Sequence, residues 1–209
     1  MYSPAHNRES DPAALRAFMR EYNFATLVTA GEGGPMATHL PVLIDGEGSE
    51  LTITGHIARA NHQWRDFASG REALIIFQGP HAYISPSLYE NRVSVPTWNY
   101  AAVHAYGEPQ ILGSREEREA IVRGLVEQHD PAYLPQYESL PSDWVDGRLS
   151  AIVAFSLRVV RIEARFKYSQ DRTVHDREAI VAALSGSDDS AARAVADAMR
   201  RPPATEHGG

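Results

Sequence analysis

Between residues 55 and 64 the chain reads GHIARANHQW, and Arg65 follows directly. Arg59, Asn61, Gln63 and Trp64 supply a planar guanidinium, amide donors and an indole, and the first acid after them is Asp66. Such donors at the start of a helical turn are the chemistry of a phosphate clamp, because a guanidinium pairs two oxygens at once and free backbone N–H groups point the same way. The same residue types also suit a solvated amphipathic helix with Trp64 packed inward, and composition alone leaves both readings standing.

Three further stretches carry chemistry. Thr38, His39 and Pro41 lie in one extended run and His56 ends the next, so two imidazoles face a common cavity if both strands present them to the same side. No HExxH and no close His/Asp/Glu spacing accompanies them, which gives little support for a zinc or facial-triad site. QGPHAYISPSLY (78 to 89) and VPTWNYAAVHAYG (95 to 107) concentrate His81, Tyr83, Tyr89, Trp98, Tyr100, His104 and Tyr106. Rings with polar tips offer a flat heterocycle both stacking faces and hydrogen bonds, and serve equally well as core and interface residues. Finally, FKYSQDR (166 to 172) sets Lys167, Ser169, Gln170 and Arg172 after the last extended run, where donors reach an anion or remain in an exposed loop.

Composition narrows the classes. The chain has 209 residues, 43% of them hydrophobic, a formal net charge of -7 and no cysteine. An extended basic surface for a nucleic-acid backbone is therefore not expected, which argues against strong DNA affinity. Disulfides, thiolate metal sites and cysteine nucleophiles are excluded, so redox chemistry requires a bound cofactor. The first residues, MYSPAHNRES, lack an apolar signal core, and no run of about 18 uncharged apolar residues occurs, so a soluble cytoplasmic protein is expected with no membrane span. There is no GxGxxG, P-loop or GxSxG.

The elements that must position these groups follow from period and punctuation. Ser10, followed by Asp11 and Pro12, opens a helix carrying Leu15, Phe18, Met19 and Tyr22 on one face. FATLVT (24 to 29) and PMATHLPVLID (35 to 45) flank a glycine-rich turn as a β-hairpin, LTITGHI (51 to 57) is a third strand, and 59 to 68 reads as a short helix before strand ALIIFQG (73 to 79). Pro80, Pro86 and Pro96 predict a loop with short extended pieces over 81 to 96, then a long strand through TWNYAAVHAYGEPQIL. Ser114 opens a helix with Ile121, Leu125 and Val126, 130 to 142 is irregular, and LSAIVAFSLRVVRIEARF alternates as one long final strand. Helices over 174 to 185 and 189 to 201 close the chain. Between 171 and 201 five Arg face five Asp and one Glu, so these helices read as a packing hairpin rather than a DNA-reading pair.

The fold class expected is α+β: an antiparallel barrel of about six strands with peripheral helices and a C-terminal helical hairpin. Its parts are a cofactor-binding barrel over 1 to 172, the hairpin over 173 to 201 packed on it, and a frayed tail over 202 to 209.

MYSP, ATHLP (37 to 41), GHIARANHQW, IFQGPHAYISPSLY, VPTWNYAAVHAYG and FKYSQ together resemble the PaiB family, described as FMN-binding negative transcriptional regulators with a split β-barrel. The resemblance spans most of residues 1 to 172. It implies FMN as cofactor in a homodimer with the cofactor at the protomer interface. The candidate binding residues are His39, His56, Arg59, Asn61, Gln63, Trp64, Trp98, Lys167 and Gln170, and the output is regulatory or redox. The haem-dependent piperazate synthases, which form an N–N bond in an N-hydroxylated ornithine, are a related branch sharing GHxxRANxxW. They imply the alternative of haem b, with His56 as the iron ligand only in that case. The GPHAY motif here is that of the regulator-like branch.

Overall fold

A computed structural model describes residues 1–201, the Ser49 side chain excepted; the tail expected over 202 to 209 lies outside the described residues. Asp11 caps the first helix, its carboxylate accepting from Ala14 N at 3.0 Å, and α1 runs Pro12–Glu21 with Leu15, Phe18 and Met19 buried. Then follow β1 Phe24–Gly31, β2 Gly34–Asp45 and β3 Thr52–Ala58, a 3-10 helix His62–Ser69, β4 Ala73–Ile84, β5 Thr97–Gly107 and β6 Pro109–Leu112. The remainder is α2 Arg115–His129, α3 Leu134–Glu138, α4 Ser142–Ser150, β7 Ile152–Arg158, β8 Arg161–Lys167, α5 Val174–Ser185 and α6 Ser190–Arg200. The strands form one sheet in the order β6-β7-β3-β2-β1-β4-β5-β8.

Two compact units divide the chain. The first comprises Met1–Phe18, Gln78–Val103 and the residues from Glu163 onward. The second comprises Met19–Phe77 and His104–Ile162. Within the second unit, β1 and β2 pair antiparallel from Gly31 opposite Gly34 to Phe24 opposite Pro41, and β3 lies between β2 and β7. Leu27, Val42, Ile53, Phe77, Phe155 and Leu157 point inward with no exposed surface or nearly none, each such side chain contributing about 1.5–3 kcal/mol of apolar burial. On the other face of β7 and β3, α2 lays Ile121 and Leu125 on Ala154. Ser114 caps α2 in a capping box with Glu117.

Within the first unit, α5 and α6 pack Ile180, Leu184, Val195, Ala196 and Met199 on Ala82, Ile84 and Tyr89. Asp176 is 5% exposed, and its carboxylate accepts the Glu90 N–H at 2.9 Å, tying the loop after β4 to this hairpin. Phe18 lies against Gly79, where a Cβ would meet its ring carbons at 2.9 Å, so the glycine makes room for the helix.

Several expectations need correction. The sheet has eight strands rather than about six. β4 continues through Pro80 to Ile84, where a loop was expected; the β1 register on β4 covers Leu74–Ile76, so Pro80 lies beyond the stretch where β1 asks for its missing N–H. The 59 to 68 helix is a 3-10 segment that begins at His62. Residues 130 to 142 contain a 3-10 turn and α3, and Leu149 and Ser150 belong to α4. The long final strand is two strands, because Val159 N bonds Leu51 O while Val160 N bonds Tyr106 O, so the chain changes partner between adjacent residues. β-branched residues satisfy both strands equally and do not mark the exchange.

Candidate functional site

In the second unit the GHIARANHQW stretch is a polar lock. Asn61 caps the 3-10 helix, its Oδ1 accepting from Gln63 N at 3.1 Å, and its Nδ2 donates to Thr38 Oγ1 at 2.8 Å. Thr38 Oγ1 in turn donates to Gln63 Oε1 at 2.5 Å. Gln63 is fully buried, and its Nε2 donates to Leu27 O at 3.1 Å and to Met36 O at 3.0 Å. Every polar atom of that side chain thus serves β1 and β2. Asp66, the first acid of the stretch, turns inward to accept from Thr29 Oγ1 at 2.7 Å.

Arg59 is equally committed. Its Nε donates to Ser150 O at 2.8 Å and its Nη2 to Ile152 O at 3.0 Å, while its backbone N–H donates to Ala151 O at 2.8 Å. A cation at the carbonyl end of α4 satisfies orphan acceptors and complements the helix dipole. Trp64 Nε1 closes the loop by donating to Arg59 O at 3.0 Å. Arg65, exposed as Arg59 is, lies 5.7 Å from the Trp64 ring centroid and makes no hydrogen bond to a backbone carbonyl among the described residues.

The register that sets Val42 opposite Gly55 puts both imidazoles on the same face of the sheet, in different surroundings. His39 is exposed on β2, bonded through Nδ1 to Thr26 Oγ1 at 2.9 Å and stacked near-parallel on Phe24 at 6.5 Å. His56 stands opposite Ala154 in the β3–β7 ladder, on the face that Ile121 and Leu125 of α2 cover. Its Nδ1 is buried with no hydrogen-bond partner among the described residues, and burial holds the imidazole below the ordinary histidine range, hence neutral at pH 7. Among the described residues no group of three or more His, Cys, Asp or Glu is placed to hold a metal ion.

The buried His56 has a pH consequence. The unfolded imidazole takes up its proton near pH 6.5, whereas the folded one resists protonation to lower pH, so stability is complete above about pH 6.5 and falls as pH drops below it. Melting curves from pH 7.5 to 5 should therefore fall more steeply for the wild type than for His56→Gln. Parallel curves would remove His56 from the acid response.

In the first unit a second cluster forms on β4, β5 and β8. Trp98, 52% exposed, has the His81 ring 5.9 Å to one side and the Tyr83 ring, edge-on, at 5.9 Å. Lys167 Nζ donates to Trp98 O at 3.0 Å and to Thr97 Oγ1. Its pKa is lowered by burial first and then by the Arg165 guanidinium. Gln170 folds back on its own turn, accepting from Tyr168 N at 2.7 Å and donating to Phe166 O. Beneath it Ser169 holds a left-handed backbone, φ 59°, and its hydroxyl exchanges hydrogen bonds with the fully buried Asn99 at 3.0 and 3.1 Å. Of the sequence candidates, Trp98 and Lys167 meet here and Gln170 builds the adjoining turn. Asn99 and Arg165 were not singled out from sequence. The parity that puts Arg165 beside Lys167 on β8 was the available signal, whereas a buried Asn leaves none.

Among the described residues no helix is long and apolar enough to cross a membrane. Residues 1–161 match the family model described as "Putative FMN-binding domain". The chain is 37% identical over 202 residues to protease synthase and sporulation protein PAI 2 of Bacillus subtilis, spanning 95% of this chain and 96% of that protein. Among solved structures it is similar to the flavocytochrome Anf3 from Azotobacter vinelandii, at TM-score 0.62 and 12% identity over 77% of this chain and 69% of that one. It is likewise similar to the FAD and heme binding protein from Mycobacterium smegmatis, at TM-score 0.62 and 12% identity over 83% and 79%. These similarities show the split β-barrel fold, and with the model match and the Bacillus relative they establish that the chain belongs to the PaiB-type family of FMN-binding-domain proteins.

Proposed function

We propose that this protein binds FMN and acts as a regulatory or redox protein of the PaiB type, as a homodimer. The observation that carries the reading is the family match over residues 1–161, supported by the 37% identity to the Bacillus sporulation protein. The donor set fits the cofactor. Trp98, Tyr83 and His81 present exposed ring surface with Lys167 beside them, which suits a flat heterocycle with a polar edge. In the second unit, Arg59, Asn61, Gln63 and Trp64 hold their own junction in shape. When bound, FMN supplies electron-transfer chemistry and the protein supplies orientation and charge. Dimerisation is supported by the face carrying Phe24, 69% exposed, alongside exposed Ala37 and His39. FMN is proposed rather than haem because the matching family model is an FMN-binding domain.

The test is titration of purified protein with FMN, following flavin fluorescence, with mass by light scattering on the same sample. Saturable quenching at one FMN per chain and a mass twice 23.1 kDa are expected. Absence of quenching would sink the FMN reading, and a monomeric mass the dimer. With a net charge of -7, regulation is proposed to run through a partner rather than direct DNA contact; a specific electrophoretic shift at physiological salt would reverse that.

A further inference from the structure

β8 alternates strictly. Ala164 is buried and Phe166 packs on the Phe18 ring at 4.9 Å, while Glu163, Arg165 and Lys167 share the opposite parity. Glu163 is paired with the Met1 ammonium. Arg165 Nη1 donates to Tyr2 O at 3.2 Å, its guanidinium lies 5.5 Å from the Tyr100 ring centroid, and its Nε is buried with no hydrogen-bond partner among the described residues. The Arg165 guanidinium is near enough to Lys167 to disfavour its charge, with Asp171 acting the other way and Arg172 adding to it. Two cations therefore sit together beside Trp98 and Tyr100, with their strand's carboxylate already paired. In a chain of net charge -7 this local excess opposes the average and matches an anion carried on, or next to, an aromatic plane.

We propose that Arg165 and Lys167 make this face selective for the reduced, singly negative flavin ring, so that the protein holds reduced flavin more tightly than oxidised flavin. The inference rests on the FMN reading above. Two-electron reduction adds two electrons and one proton to a neutral ring and leaves it with one negative charge; the electrons come from an external donor of the hydride or dithionite class. A partly desolvated cation pair attracts that charge more strongly than water-exposed cations would, and the neutral oxidised ring draws no such gain.

Anaerobic titrations with oxidised and dithionite-reduced FMN, each repeated with riboflavin, test this. The wild type should bind the reduced form about tenfold more tightly, which raises the midpoint by about 30 mV for a two-electron couple. Arg165→Met and Lys167→Met should each lose most of that preference, whereas Lys167→Arg, which keeps the charge, retains it. Riboflavin should show the same preference as FMN, because the charge is on the ring. Equal affinity for both redox states would overturn the inference while leaving FMN binding intact. A preference lost by the Met variants with FMN but absent with riboflavin would overturn it too, by assigning the cations to the phosphate. No binding of either flavin would overturn both readings together.

Discussion

Replacing Gly107 with alanine should destabilise the protein by about 3 kcal/mol or more, above the middle of the range for overpacking a buried site. Gly107 ends β5 and is buried. A Cβ there would lie 2.2 Å from Arg158 O and 2.7 Å from Leu157 Cδ2. The leucine can turn away, but the carbonyl belongs to the last residue of β7, whose ladder with β3 fixes Arg158 opposite Thr52. Relief therefore requires moving backbone, just where Val159 and Val160 exchange strand partners. The melting temperature should fall by about 10 °C for a chain of this length. Gly113→Ala, where a Cβ meets nothing within 4 Å, is the control and should change stability little. If both variants melted with the wild type, the close approach at 107 would carry no energetic weight.

That glycine shows what was legible and what was not. VPTWNYAAVHAYG stood out in the sequence for its rings, yet the residue under the tightest backbone constraint in it is the one without a side chain. Strand existence was readable from alternation, as in β1, β2 and β3, and both C-terminal helices were placed within a residue or two of their ends. Partner exchange at Val159 and Val160 was not, because propensity reports that a residue is extended and says nothing of its neighbour. α4 was missed because Leu149 and Ser150 fit the alternation of the strand that follows.

The site divided along the same line. Residue types in 55 to 64 announced a concentration of hydrogen-bonding capacity, and that capacity is real. Its targets are protein carbonyls for Arg59 and Gln63, which no spacing in the sequence distinguishes from an external phosphate. Trp98 and Lys167, some seventy positions apart, meet because β5 and β8 are neighbours in the sheet, a topological fact beyond local pattern. The first unit's face, rather than the motif that drew attention first, therefore carries the greater share of exposed aromatic rings.

Gln63→Leu is the second large effect expected, at about 3 kcal/mol. The substitution keeps most of the volume and removes three hydrogen bonds, each worth about 1 kcal/mol net, from a fully buried position. Leu27 O and Met36 O lose a donor, and the Thr38 hydroxyl loses its acceptor, so the penalty is that of stranded polar groups rather than of a cavity. Thr38→Val should cost less on its own, because Gln63 Nε2 still serves both carbonyls. Since Thr38 Oγ1 bridges Asn61 Nδ2 and Gln63 Oε1, the double variant should be less destabilised than the sum of the singles, by about 1 kcal/mol. Urea unfolding of the four proteins measures the cycle. Strict additivity would mean that the bridge does not couple the two residues. Hydrogen exchange should place the loosened amides in residues 61 to 69 and the turn between β1 and β2, because the Gln63 side chain is what fastens that 3-10 segment to both strands.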